Sequence, residues 1–177
     1  RRADLNIAIN EAGRKLGTEL ISDMLVLAQA ARSAATDQAA NEICSRPEAV
    51  FAARANRPVA FAIFSAGPMP VCKTPGARFE KPMNGLLDAR PLLRIDRDML
   101  ELVVPANAFG SVAIARYPIR TLAAFARPTG YNNPYQLRVD IDGQSLWIVD
   151  TIGTAPLAGG ESAIAVIGLS SATLEMT

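Results

Sequence analysis

Between residues 3 and 43 the chain carries no proline, and its apolar side chains recur every three or four positions. Leu5, Ile9, Ala12, Leu16, Leu20, Met24, Leu27 and Ala31 make one continuous stripe, which predicts a single long amphipathic helix with a possible break. Asp4, Arg14, Asp23 and Arg32 fall mostly outside that stripe. Ile21, Leu25 and Ala28 add a second apolar edge in the C-terminal half only. The economical expectation is that the later turns pack on a domain while the first turns project and meet the same helix of a second copy. The alternative is a plain amphipathic helix folded back on its own core. An Ala-rich seam specifies a partner only weakly. Gly13-x-x-x-Gly17 permits close helix approach, but outside an apolar membrane span this spacing is a weak signal.

Residues 33 to 48 read as a junction followed by a short helix. Asp37 is placed to cap a new turn, and Pro47 either ends the Ile43-Cys44 stretch or opens another at the first-turn position. From residue 57 the pattern turns extended. Val59 to Phe64 is a short apolar run bounded by Pro58 and Gly67-Pro68, and Pro70 to Lys73 reads as the second arm of a hairpin. Residues 77 to 90 are expected to be loop with a short helix. Leu92 to Val104 reads either as strands or as a strand with a helical turn, since Leu93, Ile95, Met99 and Leu102 share no clean period. Ser111 to Ala115 is an expected strand, and Pro118 to Ala126 a helix with Ile119, Leu122, Ala123 and Phe125 buried. Leu137, Val139 and Ile141 alternate before Asp142-Gly143, a dipeptide suited to a type I′ turn, and Leu146 to Val149 is the return strand. After the Gly- and Pro-containing 156–160 stretch, expected to be flexible, Ala163 to Leu169 is expected to close the chain as a last strand. The sum is α+β: a long N-terminal helix, then a mostly antiparallel sheet of about five strands with short flanking helices. Residues 1–45 form the helix and junction, and 46–177 the compact domain packed with it.

Composition restricts function. The chain has no histidine, the usual general base and transition-metal ligand, which removes Ser-His-Asp and Cys-His catalysis and His-based metal sites. Eighteen Lys and Arg nearly cancel seventeen Asp and Glu, so no basic surplus points to nucleic acid. No run reaches the ~18 to 20 apolar residues that span a bilayer. Asp140, Asp142 and Asp150 lack the further oxygens of a calcium loop, and Gly153 to Gly160 lacks the lysine of a phosphate loop. No metal and no cofactor is expected. The chain opens on Arg1 without a Met, which suggests a fragment of a longer protein.

The helix of residues 3 to 32, the Phe61-to-Cys72 hairpin, Ser111 to Ala126 and the Gln136-to-Asp150 hairpin together resemble the extracytoplasmic PAS-like (Cache) sensor domains of bacterial transmembrane receptors. Within that class the chain looks most like the periplasmic region of PhyK-type sensor histidine kinases of the general stress response. The cysteine-containing CSS sensor of cyclic-di-GMP phosphodiesterases is a second relative in kind, but Cys72 is followed by Lys73-Thr74 and Cys44 by Ser45-Arg46. The resemblance implies a periplasmic, membrane-tethered input domain, dimeric through its N-terminal helix, that responds to a small molecule or a protein stimulus. It implies no catalysis in this chain, although the full-length protein could carry a kinase or cyclic-di-GMP enzyme domain.

In such a compartment Cys44 and Cys72 are expected to oxidise, to a structural bridge or to a redox switch; two unpaired thiols are the other reading. A PAS-like pocket lies between sheet and helical excursion. There Arg116, Tyr117, Arg138, Tyr131 and Arg94 are the candidate ligand-binding residues, arginine forks for a carboxylate or other small anion and aromatics for walls. Alternating arginines on a half-exposed strand also suit a plain solvated face. Two further classes compete with the sensor: a protein-interaction module of similar fold, and a carboxylate enzyme built on Glu101 or Asp98.

Overall fold

The computed structural model describes residues 2–36, 38–82, 90–106, 110–150 and 161–177. Helix α1 runs Arg2–Ala34 and α2 Ala40–Ala52. Strands β1 (Ala60–Phe64), β2 (Pro70–Lys73), β3 (Leu92–Asp96), β4 (Met99–Pro105) and β5 (Val112–Pro118) follow. Helix α3 (Ile119–Phe125) leads to β6 (Gln136–Ile141), β7 (Gln144–Asp150), β8 (Ala163–Val166) and β9 (Thr173–Met176). The fold is α+β, with two antiparallel sheets ordered β2-β1-β5-β4-β3 and β7-β6-β9-β8.

The long helix forms as its stripe predicts, but its first half does not project. Leu5, Ala8, Ile9, Ala12 and Leu16 are buried, and the helix packs along β8 and β9 there before reaching the five-stranded sheet. The folded-back alternative is therefore the observed one. The second apolar edge behaves oppositely to expectation: Ile21 and Leu25 are exposed. The reason is the second sheet. The run 163–169 reads as one strand, yet Gly168 at φ +83° and Ser170 at φ +59° reverse the chain and create β9. Strand β9 pairs with β6 and completes the four-stranded sheet that covers the first turns of α1.

Gly13 and Gly17 are where the helix meets that sheet. A Cβ built on Gly17 would lie 2.4 Å from the carbonyl oxygen of Ile167, and one on Gly13 would lie 3.0 Å from the Ala165 Cβ. The small-residue pair thus serves helix-to-strand contact. Helix α2 continues through buried Pro47 to Ala52, and the bridge Cys44–Cys72 ties it to β2 across 28 residues of chain. The Asp142-Gly143 turn has both residues at positive φ, +49° and +79°, as its type I′ geometry needs. Asp37, the 83–89 part of the expected loop and the 151–160 stretch lie outside the described residues.

Candidate functional site

Strand β5 divides two environments because consecutive side chains on a strand face opposite ways. Ala113, Ala115 and Tyr117 point toward α1 and join the main core, whereas Val112 and Ile114 pack on the other face with Ala62, Phe64 and Val103. Arg116 belongs to that outer face. Register places Glu101 of β4 opposite Arg116 of β5 on one side and opposite Arg94 of β3 on the other. Glu101 is almost fully buried and takes one guanidinium Nε on each oxygen, Arg94 at 2.5 Å and Arg116 at 2.6 Å.

Arg116 is held from several directions. Its Nη1 donates to the carbonyl of Arg78 at 2.7 Å, its guanidinium lies 4.2 Å over the Phe79 ring, and Asp96 stands 3.7 Å from Nη2. The terminal nitrogens of Arg94 have no partner among the described residues. Above this triad opens a cavity of about 670 Å3, lined by Arg78, Glu80, Arg94, Ile95, Asp96, Arg97, Glu101 and Arg116. Positive and negative groups are interleaved on its walls. Such a site suits a small molecule that carries a carboxylate and, at a distance, a cation.

On the opposite face Tyr117 is fully buried and donates its hydroxyl to Asp23 of α1 at 2.6 Å. Asp23, also fully buried, accepts from Arg54 Nη2 at 2.5 Å. Burial raises the Asp23 carboxyl above its ordinary 3.8, against the hydrogen bond from Tyr117 and the charge of Arg54. Burial, and then the Asp23 charge, hold the Tyr117 phenol well above its ordinary value.

Of the five candidate ligand residues, the structure brings Arg94 and Arg116 together at one cavity. Tyr117 is on the other side of the sheet and does not line it. Arg138 lies on the second sheet, 5.4 Å from the Trp147 ring centre, with Asp140 at 3.1 Å and Glu175 at 2.5 Å. Tyr131 packs edge-on against Tyr135 at 5.8 Å, in the segment between α3 and β6. Glu101, weighed only as an enzymatic carboxylate, is the hub of the site; Asp98 sits exposed in the β3–β4 turn. Asp23 carried a readable signal. Leu16, Leu20 and Leu27 stand seven and three residues before it and four after it, which puts its carboxyl on the buried face. The half-buried Cys44 and buried Cys72 are bonded to each other. Among the described residues no cluster could hold a metal ion, and no helix is long and apolar enough to cross a membrane.

No family model and no curated protein matches the sequence. Solved structures do. An extracellular ligand-binding receptor from Desulfohalobium retbaense superposes with a TM-score of 0.64 at 15% identity, over 98% of this chain and 40% of that one. This chain therefore spans about two-fifths of that receptor. The ligand-binding domain of the Pseudomonas aeruginosa amino-acid chemoreceptor PctB, in complex with L-Arg, gives 0.61 at 13% identity over 93% and 88%. That of PctC, in complex with GABA, gives 0.56 at 18% identity over 93% of each chain. At these identities the likeness is one of fold: the chain has the fold of extracellular ligand-binding receptor domains.

Proposed function

We propose that this chain is the extracytoplasmic, ligand-sensing input domain of a membrane-bound receptor, and that its ligand is a small carboxylate-bearing molecule seated over Arg94 and Arg116. The observation that carries the reading is Glu101. By taking both Nε groups it fixes two guanidinium planes side by side at the floor of the cavity and lowers their mutual repulsion. The L-Arg and GABA held by the two chemoreceptor domains each combine a carboxylate with a cationic group. Glu80 and Asp96 offer carboxylates for such a cation here. In this reading Glu101 holds the two arginines and does not serve as a catalytic acid or base, because both its oxygens are committed to them.

The signal would pass through β5. Arg116 and Tyr117 share a peptide unit, so a ligand that moves one moves the other, and Tyr117 is bonded to the long helix. The helix presents Ile21 and Leu25, with Ile7 further along, as the apolar surface for a homodimer. Periplasmic location accords with the Cys44–Cys72 bridge. A histidine-kinase output in a stress response is the reading from element order; a chemoreceptor output is the second reading, favoured by the two Pseudomonas neighbours.

Isothermal titration of the purified domain with GABA, L-arginine and succinate tests the site. Binding of one of them, weakened at least tenfold, or ~1.4 kcal/mol, by Arg94→Ala and by Arg116→Ala, is expected. Binding that both variants leave unchanged, or none by any carboxylate in the panel, refutes the assignment.

A further inference from the structure

A second cleft, of about 550 Å3, lies on the helix side of the molecule, where α1, the segment after α2 and the end of α3 converge. Four cationic side chains line it, Arg14, Lys15, Arg54 and Arg127, against one carboxylate, Glu19. Two of the four are matched. Lys15 pairs with Glu11 at 2.8 Å and donates to the Arg127 carbonyl at 3.1 Å and the Thr129 hydroxyl at 2.7 Å. All three of its protons are thus in use, and they tie the Arg127 segment to α1. Arg54 is divided between Asp23 at 2.5 Å and Glu19 at 3.5 Å. Arg14 and Arg127 have no carboxylate partner among the described residues. Both are exposed, and they approach the cleft from different elements.

We propose that this cleft is a second binding site, for a small oxyanion (phosphate or a multivalent carboxylate) held between Arg14 and Arg127 and backed by Arg54. Guanidinium forks match the paired oxygens of either group, and two of them aimed from separate segments give more specificity than one flexible lysine. Thr18 does not compete for the anion, since its hydroxyl is turned back to the Arg14 carbonyl at 2.8 Å. The cleft and the cavity over Glu101 lie on opposite sides of the five-stranded sheet and share no lining residue.

The placement has a consequence for regulation. Arg54 is the one lining residue that also reaches the buried Asp23, which is bonded in turn to Tyr117, the neighbour of Arg116. An anion that draws the Arg54 guanidinium outward weakens its hold on Asp23 and so bears on the far side of β5. Occupancy of the two sites is therefore coupled, and the coupling is reciprocal.

The test is titration of the whole domain with sodium phosphate, and separately with citrate, at constant ionic strength set by sodium chloride. Saturable binding of one equivalent is expected for at least one of the two anions, and the tighter one names the chemistry. The double variant Arg14→Ala/Arg127→Ala, both exposed positions, should melt like the parent and bind that anion at least tenfold more weakly, while Arg94→Ala binds it as the parent does. No saturable binding up to ~50 mM by either anion overturns the site. So does binding that Arg94→Ala abolishes and the double variant retains, which would assign the anion to the cavity over Glu101 instead.

Discussion

Gly17→Ala isolates the contact on which the docking of α1 depends. In an exposed helix interior this substitution stabilises by about 1 kcal/mol, because alanine loses less backbone entropy. Here the new methyl would lie 2.4 Å from the Ile167 carbonyl oxygen, 0.6 Å inside the 3.0 Å that real contacts respect. The obstacle is backbone, so no rotamer change relieves it. Either α1 or the β8–β9 turn must shift, and α1 carries fully buried Leu16 and Leu20 beside the contact. Overpacking of this kind costs about 1–3 kcal/mol and outweighs the propensity gain. The net loss, up to about 2 kcal/mol, corresponds to a melting point up to about 8 °C lower for a chain of this size. Gly13→Ala is the internal control, since its methyl meets the Ala165 side chain at 3.0 Å and should cost less. Thermal unfolding followed by circular dichroism reads both. A Gly17→Ala variant that melts at or above the parent would show that helix and turn do not approach this closely.

Glu101→Gln leaves two half-buried guanidinium groups facing each other with only the exposed Asp96, 3.7 Å from Arg116, as countercharge; urea unfolding at neutral pH should show a loss of about 2–3 kcal/mol, and a loss under about 0.5 would refute the hub role. Tyr117→Phe removes one of the donors to buried Asp23 and should cost about 1–3 kcal/mol in the same assay, whereas a neutral result would mean that bond contributes nothing net. Asp23 titrates above its ordinary 3.8 because of burial, so between 3.8 and its folded-state value the native protein holds more protons than the unfolded chain. Stability from Asp23 accordingly falls as pH rises through that window, so the stability of the parent minus that of Asp23→Asn should fall over the same range; a rise would reverse the sign of the argument. Reducing the Cys44–Cys72 bridge reopens a loop of 28 residues' separation and should lower stability by about 3.5 kcal/mol on the chain-entropy model, measured as the melting points of oxidised and reduced protein.

Local chemistry was legible in the sequence and long-range pairing was not. The Asp142-Gly143 turn, the helix after Pro118 and the α1 stripe are set by residues a few positions apart, and each formed, although Ile119, expected on the buried face of the helix after Pro118, is exposed and Ala123 is half-buried. The four-stranded sheet depends on β9 reaching back to β6, a partnership that no local pattern encodes. The site divides in the same way. Arg94 and Arg116 are legible as strand arginines, yet they converge only because β4 lies between β3 and β5 in a register that sets Glu101 opposite both. Tyr117 is instructive in the other direction. As the strand neighbour of Arg116 it had to face the opposite way, and alternation alone excluded it from the same pocket.

The Gly13–Gly17 contact also limits how the long helix can move. Four helical residues advance about 6 Å and two strand residues about 6.6 Å, so Gly13 over Ala165 and Gly17 over Ile167 mesh like two teeth of matched pitch. A slide by one tooth in either direction would need a third small residue, at position 9 or 21. Both are isoleucine. The axial position of α1 on the second sheet is therefore single-valued, and a piston stroke of a full turn is blocked. What remains open to a signal is tilt or rotation of the helix about this fixed point, with Gly17 as the fulcrum and the Asp23–Tyr117 bond less than two turns away as the arm.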